Sequence, residues 1–139
     1  MPSNHEKRPY LVGAAGIAGR VALASLFILG GLNKIFNFAE TALRMESVGL
    51  PFANILLPLV IILELVAGTL IAFAAPRYRV AAALLAIFTL STNYFFHDFW
   101  AMQGQIRDLE LSLFFKNVAI AGALIVLATA EKEPSAKSI

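Results

Sequence analysis

The chain has 139 residues, of which 59% are hydrophobic and 14% charged, with a formal net charge of +2. A soluble domain of this length carries about a quarter charged residues to clothe its surface, so a water-soluble globule is excluded, and the same apolar excess excludes disorder. Cysteine is absent, which removes disulfide scaffolds, thiol redox pairs, thiolate metal sites and Cys-ligated clusters; the basic residues are scattered and form no nucleic-acid-binding patch. An integral membrane protein remains.

About 20 apolar residues cross a hydrocarbon core about 30 Å thick, and four stretches of the sequence have that length. The first predicted span covers residues 11–32 and is broken only by Arg20. It is too long for a cleavable signal, and further spans follow it. Gly13, Gly16, Arg20, Ala24, Phe27, Gly31 and Lys34 recur along it at steps of three or four. That stripe of small residues and two cations is predicted to face the interior of a bundle rather than lipid.

Residues 38–48 read as a short amphipathic helix on the outer face, with Glu40 and Arg44 in the favourable i,i+4 order and Gly49 and Pro51 as its stop. The second span, 52–75, has Glu64 as its sole charge and Pro58 in its first turns, where the missing donor is predicted to bend the helix. Pro76-Arg77-Tyr78-Arg79 joins it to the third span, 80–100, which is free of charge until His97 and Asp98. The fourth, 109–130, has Glu110 near its start and Lys116 inside.

In lipid each backbone polar group must be satisfied within its own segment, so the spans are predicted as helices, and their short connections make neighbours antiparallel. The expected fold is all-α: an antiparallel four-transmembrane-helix bundle with a short outer-face amphipathic helix. Its transmembrane domain covers 11–130, between polar tails at 1–10 and 131–139. Lys7, Arg8, Arg77, Arg79, Lys132 and Lys137 fall on one side of the membrane, against Lys34, Arg44 and Arg107 on the other. The positive-inside rule therefore puts both termini in the cytoplasm, with Tyr10, Tyr78 and Trp100 at the interfaces.

A charge inside the membrane costs about 2.5 to 3.5 kcal/mol on insertion scales, so each needs a partner or a purpose. Counted from the cytoplasmic ends of their spans, Arg20 and Glu64 lie at about 13 and 15 Å. Opposite charges at one level predict a buried Arg20–Glu64 ion pair, with Gly68 letting the first helix approach. Such a pair either fixes the packing of two helices or serves as a proton relay or ligand anchor.

A second group lies nearer the outer side. Asn93 and His97 share one face of the third span, and Lys116 and Asn117 come to a similar depth on the fourth. Phe95, Phe96, Phe99, Trp100, Phe114 and Phe115 surround them in sequence. This group suits a flat amphipathic molecule such as a quinone, with His97 or Lys116 bonding its carbonyls. Interfacial anchoring, with Lys116 reaching to the headgroups, is the competing reading. No carboxylate–histidine cluster has metal spacing, and bis-His haem is excluded because the other histidine, His5, lies in the tail. The chain is expected to carry no cofactor of its own.

Gly30-Gly31-Leu32-Asn33-Lys34-Ile35-Phe36, with Arg20 before it, resembles the end of the first helix in the DoxX family of small four-helix membrane proteins. The resemblance continues through Gly49-Leu50-Pro51, Glu64-Leu65-Val66-Ala67-Gly68, Arg77-Tyr78-Arg79, Phe96-His97-Asp98-Phe99-Trp100 and Phe115-Lys116-Asn117-Val118-Ala119-Ile120-Ala121-Gly122. It is strongest with the bacterial inner-membrane branch. The resemblance implies the four-helix fold, an inner-membrane location and a link to quinone-dependent oxidoreduction. For some members it implies scaffolding of redox enzymes.

The expected function is a cofactor-free membrane subunit that binds a quinone-like ligand or a partner oxidoreductase. The alternative is a non-catalytic scaffold or assembly module that binds other membrane proteins or copies of itself. A small transporter ranks last, because only one carboxylate lies deep.

Overall fold

The computed structural model describes residues 8–130. The end segments 1–7 and 131–139 of the expected tails, with Lys7, Lys132 and Lys137, lie outside the described residues. In chain order the helices are α1 (Arg8–Phe36), α2 (Phe38–Ser47), α3 (Ala53–Ala72), α4 (Tyr78–Phe96), a single 3-10 turn (Phe99–Ala101) and α5 (Gly104–Thr129). Four stretches are long and apolar enough to cross a membrane: Gly13–Phe36, Ala53–Ala72, Tyr78–Ala101 (α4 with the 3-10 turn after it) and Gly104–Thr129. The all-α membrane architecture expected from the sequence is therefore present.

The boundaries shift where polar residues continue a helix beyond its apolar run. α5 starts at Gly104 rather than near 109, and α1 continues through Lys34 to Phe36 rather than stopping near 32. Hydropathy marks the lipid-soluble part of a helix, whereas the hydrogen-bond ladder carries on into the interface.

The chain forms two compact units, Met1–Ala81 and Ala82–Ile139. In the first, α1 packs against α3 and α2 lies against both. The buried residues of α3 (Ala53, Leu57, Ile61, Glu64, Ala67, Gly68 and Ile71) recur at steps of one, three and four, which draws one helix face. Ala24, Phe27 and Gly31 on α1 and Ala42 and Met45 on α2 are likewise buried. The predicted stripe of α1 is thus buried from Ala24 to Gly31, whereas Gly13 and Gly16 are exposed.

Glycine explains how closely α1 and α3 approach. A Cβ built at Gly68 would lie 2.8 Å from Ile28 Cγ1 and 3.2 Å from the Ala24 carbonyl oxygen. One at Gly31 would lie 2.9 Å from Leu65 Cδ2. These contacts also set the pairing: rising residue numbers on α1 meet falling numbers on α3, so the two helices are antiparallel.

The short amphipathic helix is present as α2. It ends as its sequence requires: Gly49 takes a left-handed conformation (φ 84°), and the Leu50 and Gly49 amides donate to the Met45 and Glu46 carbonyls at 3.1 and 3.0 Å. This is a Schellman cap. α3 ends with the same pair of bonds, from the Ala75 amide to the Leu70 carbonyl (3.0 Å) and from the Ala74 amide to the Ile71 carbonyl (3.2 Å). There, however, the left-handed residue is Ala74 (φ 48°).

In the second unit the buried residues of α4 include Ala82, Leu85, Ala86, Thr89 and Asn93, and those of α5 are Ala121 and Leu124. Side-chain bonds join Asn93 of α4 to Asn117 of α5, and His97, the residue after α4, to Glu110 of α5. This helix pair is also antiparallel.

Candidate functional site

Among the described residues each unit has a polar cluster at a helix–helix contact. In the first unit Glu64 is 4% exposed, and its partner is Lys34. The Lys34 ammonium donates to Glu64 Oε1 at 2.9 Å, stands 2.9 Å from Oε2, and donates a long bond to the Gly30 carbonyl at 3.5 Å. The Oε2 approach is electrostatic and lies outside hydrogen-bond alignment, so that buried oxygen keeps unused acceptor capacity. Gly30 lines the pair: a Cβ there would lie 3.4 Å from Oε1 and 3.6 Å from the lysine Nζ. Lys34 comes from the last turn of α1 and folds back along the helix, the direction side chains take in an α-helix.

The expected Arg20–Glu64 pair does not form. Gly68 faces Ala24 and Ile28, while Glu64 faces Gly30 and Gly31. Arg20 precedes Gly30 by ten residues in the sequence, which puts it about 15 Å further along the helix axis. No arginine side chain closes that gap. Arg20 Nε is buried and has no hydrogen-bond partner among the described residues. The expectation placed both charges by the ends of their apolar spans, and those ends do not fix the register between helices.

In the second unit a polar ladder crosses from α4 to α5. Asn93, 2% exposed, donates through Nδ2 to the Phe114 carbonyl at 3.1 Å. Its Oδ1 accepts from Asn117 Nδ2 at 3.2 Å. One turn on, His97 Nδ1 lies 2.6 Å from Glu110 Oε2, with both side chains mostly buried. An ionised carboxylate only accepts, so with Glu110 charged Nδ1 carries the proton and Nε2 is the nitrogen left for another partner. Aromatic rings flank this end. Phe99 meets Trp100 and Phe114 edge-to-face at centroid distances of 5.3 and 5.2 Å, and Tyr94 lies 6.2 Å from Trp100.

Of the residues expected at the ligand site, His97, Asn93 and Asn117 are brought together. Lys116 is not. It is exposed, about 100° of helix rotation from Asn117, and has no partner among the described residues. Glu110 was missed as a site residue, although a signal for it existed: Glu110, Phe114 and Asn117 are spaced by four and three on α5, opposite Asn93 and His97 spaced by four on α4. Facing stripes with complementary donors and acceptors predict a ladder once the helices are known to be neighbours.

The DoxX family model matches residues 15–98. Inner membrane protein YqjF of Escherichia coli (strain K12) is 36% identical over 112 residues, covering 81% of this chain and 80% of that protein. The chain belongs to the DoxX family. Inner membrane protein YphA of the same organism is 32% identical over 121 residues, covering 87% of this chain and 83% of that protein. No solved structure matches this DoxX chain. The family match takes in the Lys34–Glu64 pair and the α4 half of the ladder; Glu110 and Asn117 lie beyond it.

Proposed function

We propose that this DoxX protein is a cofactor-free membrane subunit linked to quinone metabolism, which holds a quinone-like ring at the His97 end of α4 and α5. The observation that carries this reading is the His97 Nδ1–Glu110 Oε2 contact of 2.6 Å beside the Phe99, Trp100 and Phe114 rings. Glu110 accepts from Nδ1 and orients the imidazole, so the bare Nε2 accepts from a quinol hydroxyl or takes its proton, and once protonated it donates to a ring carbonyl. The aromatic side chains supply flat apolar surface for the ring. Asn93 and Asn117 serve as braces, because their bonds are largely spent on each other and on the Phe114 carbonyl. The resemblance of the chain to a family linked with quinone-dependent oxidoreduction supports the same ligand class.

Trp100 is the chain's one tryptophan, so a quinone analogue bound here quenches its emission. Titration of the purified protein is expected to give saturable quenching that His97→Leu weakens by about tenfold or more, the loss of one strong hydrogen bond. Equal affinity in the wild type and His97→Leu overturns the reading.

A scaffold that binds an oxidoreductase is the second reading. It is favoured by the flank of α1 at Gly13, Gly16 and Gly19, where an added Cβ meets nothing within 4 Å. Small residues of this kind let membrane helices approach closely. Co-purification of a stoichiometric partner without bound quinone would select it.

Both readings place the protein in the inner membrane with its termini in the cytoplasm, as the distribution of Lys and Arg supports. The chain has no cysteine, which suits it to labelling. An impermeant maleimide added to intact cells is expected to modify Ser47→Cys, and to modify Pro76→Cys only after lysis. The reverse pattern inverts the topology.

A further inference from the structure

The side of α5 turned away from the Asn93–His97 ladder carries a polar stripe that the quinone reading does not use. Asp108, Ser112 and Lys116 recur every four residues along it, and all three are exposed. Gln105 begins the stripe, and the small residues Ala119 and Ala123 continue it toward the other end of the helix, also exposed. Asp108 has Arg107 Nη1 at 3.5 Å, an exposed contact. Lys116 lies within the span and has no partner among the described residues.

A lipid-facing helix surface is normally apolar, so a charge at this depth needs a partner there. Asp108 and Lys116 are separated by about 12 Å along the axis. The lysine stem lets its ammonium reach about 6 Å back toward the interface. The stripe therefore presents, from water inward, a carboxylate, a hydroxyl and an ammonium, followed by two exposed alanines. An ethanolamine phospholipid has the complementary order from water inward: a primary ammonium, a phosphate, then acyl chains. We propose that this face of α5 is a binding site for an ethanolamine phospholipid. Asp108 accepts from its ammonium, Ser112 and Lys116 donate to its phosphate, and an acyl chain lies along Ala119 and Ala123. The site stands on residues other than those of the quinone reading and does not depend on it.

A choline headgroup keeps the positive charge but cannot donate a hydrogen bond to Asp108, and a glycerol headgroup has no ammonium. Native mass spectrometry of the detergent-purified full chain, titrated with phosphatidylethanolamine, phosphatidylcholine and phosphatidylglycerol of identical acyl chains, separates these cases. Wild-type protein is expected to retain the ethanolamine lipid about fivefold or more over the other two, the scale of one charge-assisted hydrogen bond. Asp108→Asn brings it down to the level of the choline lipid. Lys116→Met lowers retention of all three lipids together. Both side chains are exposed, so neither variant threatens the fold. Equal retention of the three lipids by wild type, a preference for phosphatidylglycerol, an ethanolamine preference that survives Asp108→Asn, or unchanged retention in Lys116→Met would each overturn the site.

Discussion

The Lys34 ammonium stands 2.9 Å from both carboxylate oxygens of Glu64, across the contact between α1 and α3. The carboxylate side chain is 6% exposed and the lysine side chain 25%, so the pair joins a membrane-buried anion to a cation that reaches down from the helix end. Removing one partner of a buried ion pair costs far more than removing both, because the survivor is left uncompensated.

Lys34→Met is therefore expected to lower thermal stability in detergent by about 3 kcal/mol. The double variant Lys34→Met with Glu64→Gln should regain a good part of that loss. A double-mutant cycle should give a coupling of about 1 to 3 kcal/mol for Lys34 with Glu64, and less than about 0.5 kcal/mol for Arg20 with Glu64. A larger coupling to Arg20 than to Lys34 would refute this register of α1 against α3.

Gly68 of α3 differs in kind from Gly122 of α5. Gly68→Ala puts a methyl 2.8 Å from Ile28 Cγ1 and 3.2 Å from the Ala24 carbonyl oxygen, so α1 must move off α3 at a cost of about 1 to 3 kcal/mol. A Cβ at Gly122 meets nothing within 4 Å, and Gly122→Ala should be neutral or stabilising by up to about 1 kcal/mol through backbone entropy. Melting curves of the two variants, measured side by side, check the contrast.

Asn93 is buried, donating to the Phe114 carbonyl and accepting from Asn117. Asn93→Leu leaves the Asn117 amide without its acceptor and should cost about 1 to 3 kcal/mol. Asn117→Ala, at the less buried end of the same bond, should cost less. If both substitutions prove neutral, the ladder does not hold α4 to α5.

Ala74 adopts the left-handed conformation at the end of α3 that Gly49 adopts at the end of α2. For an L-residue with a Cβ this conformation costs about 1 to 2 kcal/mol. Ala74→Gly is accordingly expected to raise stability by about 1 kcal/mol, and Gly49→Ala to lower it by a similar amount. Opposite signs in thermal melts support this account of the two caps.

The sequence by itself determined the class and the elements. The low charge and the four apolar runs require membrane helices, because an unsatisfied backbone in lipid is too costly. Glu40, Arg44 and Gly49 mark out α2 and its stop, and Gly68 announces a close helix approach. His97 and Asn93 were legible as one face because their spacing is that of a helical turn. What one chain of letters does not carry is the register and rotation between helices. The Lys34–Glu64 pair depends on Gly68 meeting Ala24 and Ile28, and on Lys34 folding back toward Gly30. The Glu110 contact depends on which face of α5 meets α4, and the same rotation turns Lys116 away from His97. Periodicity sets which residues share a face, but only the interlocking of particular side chains selects which faces meet and at what level.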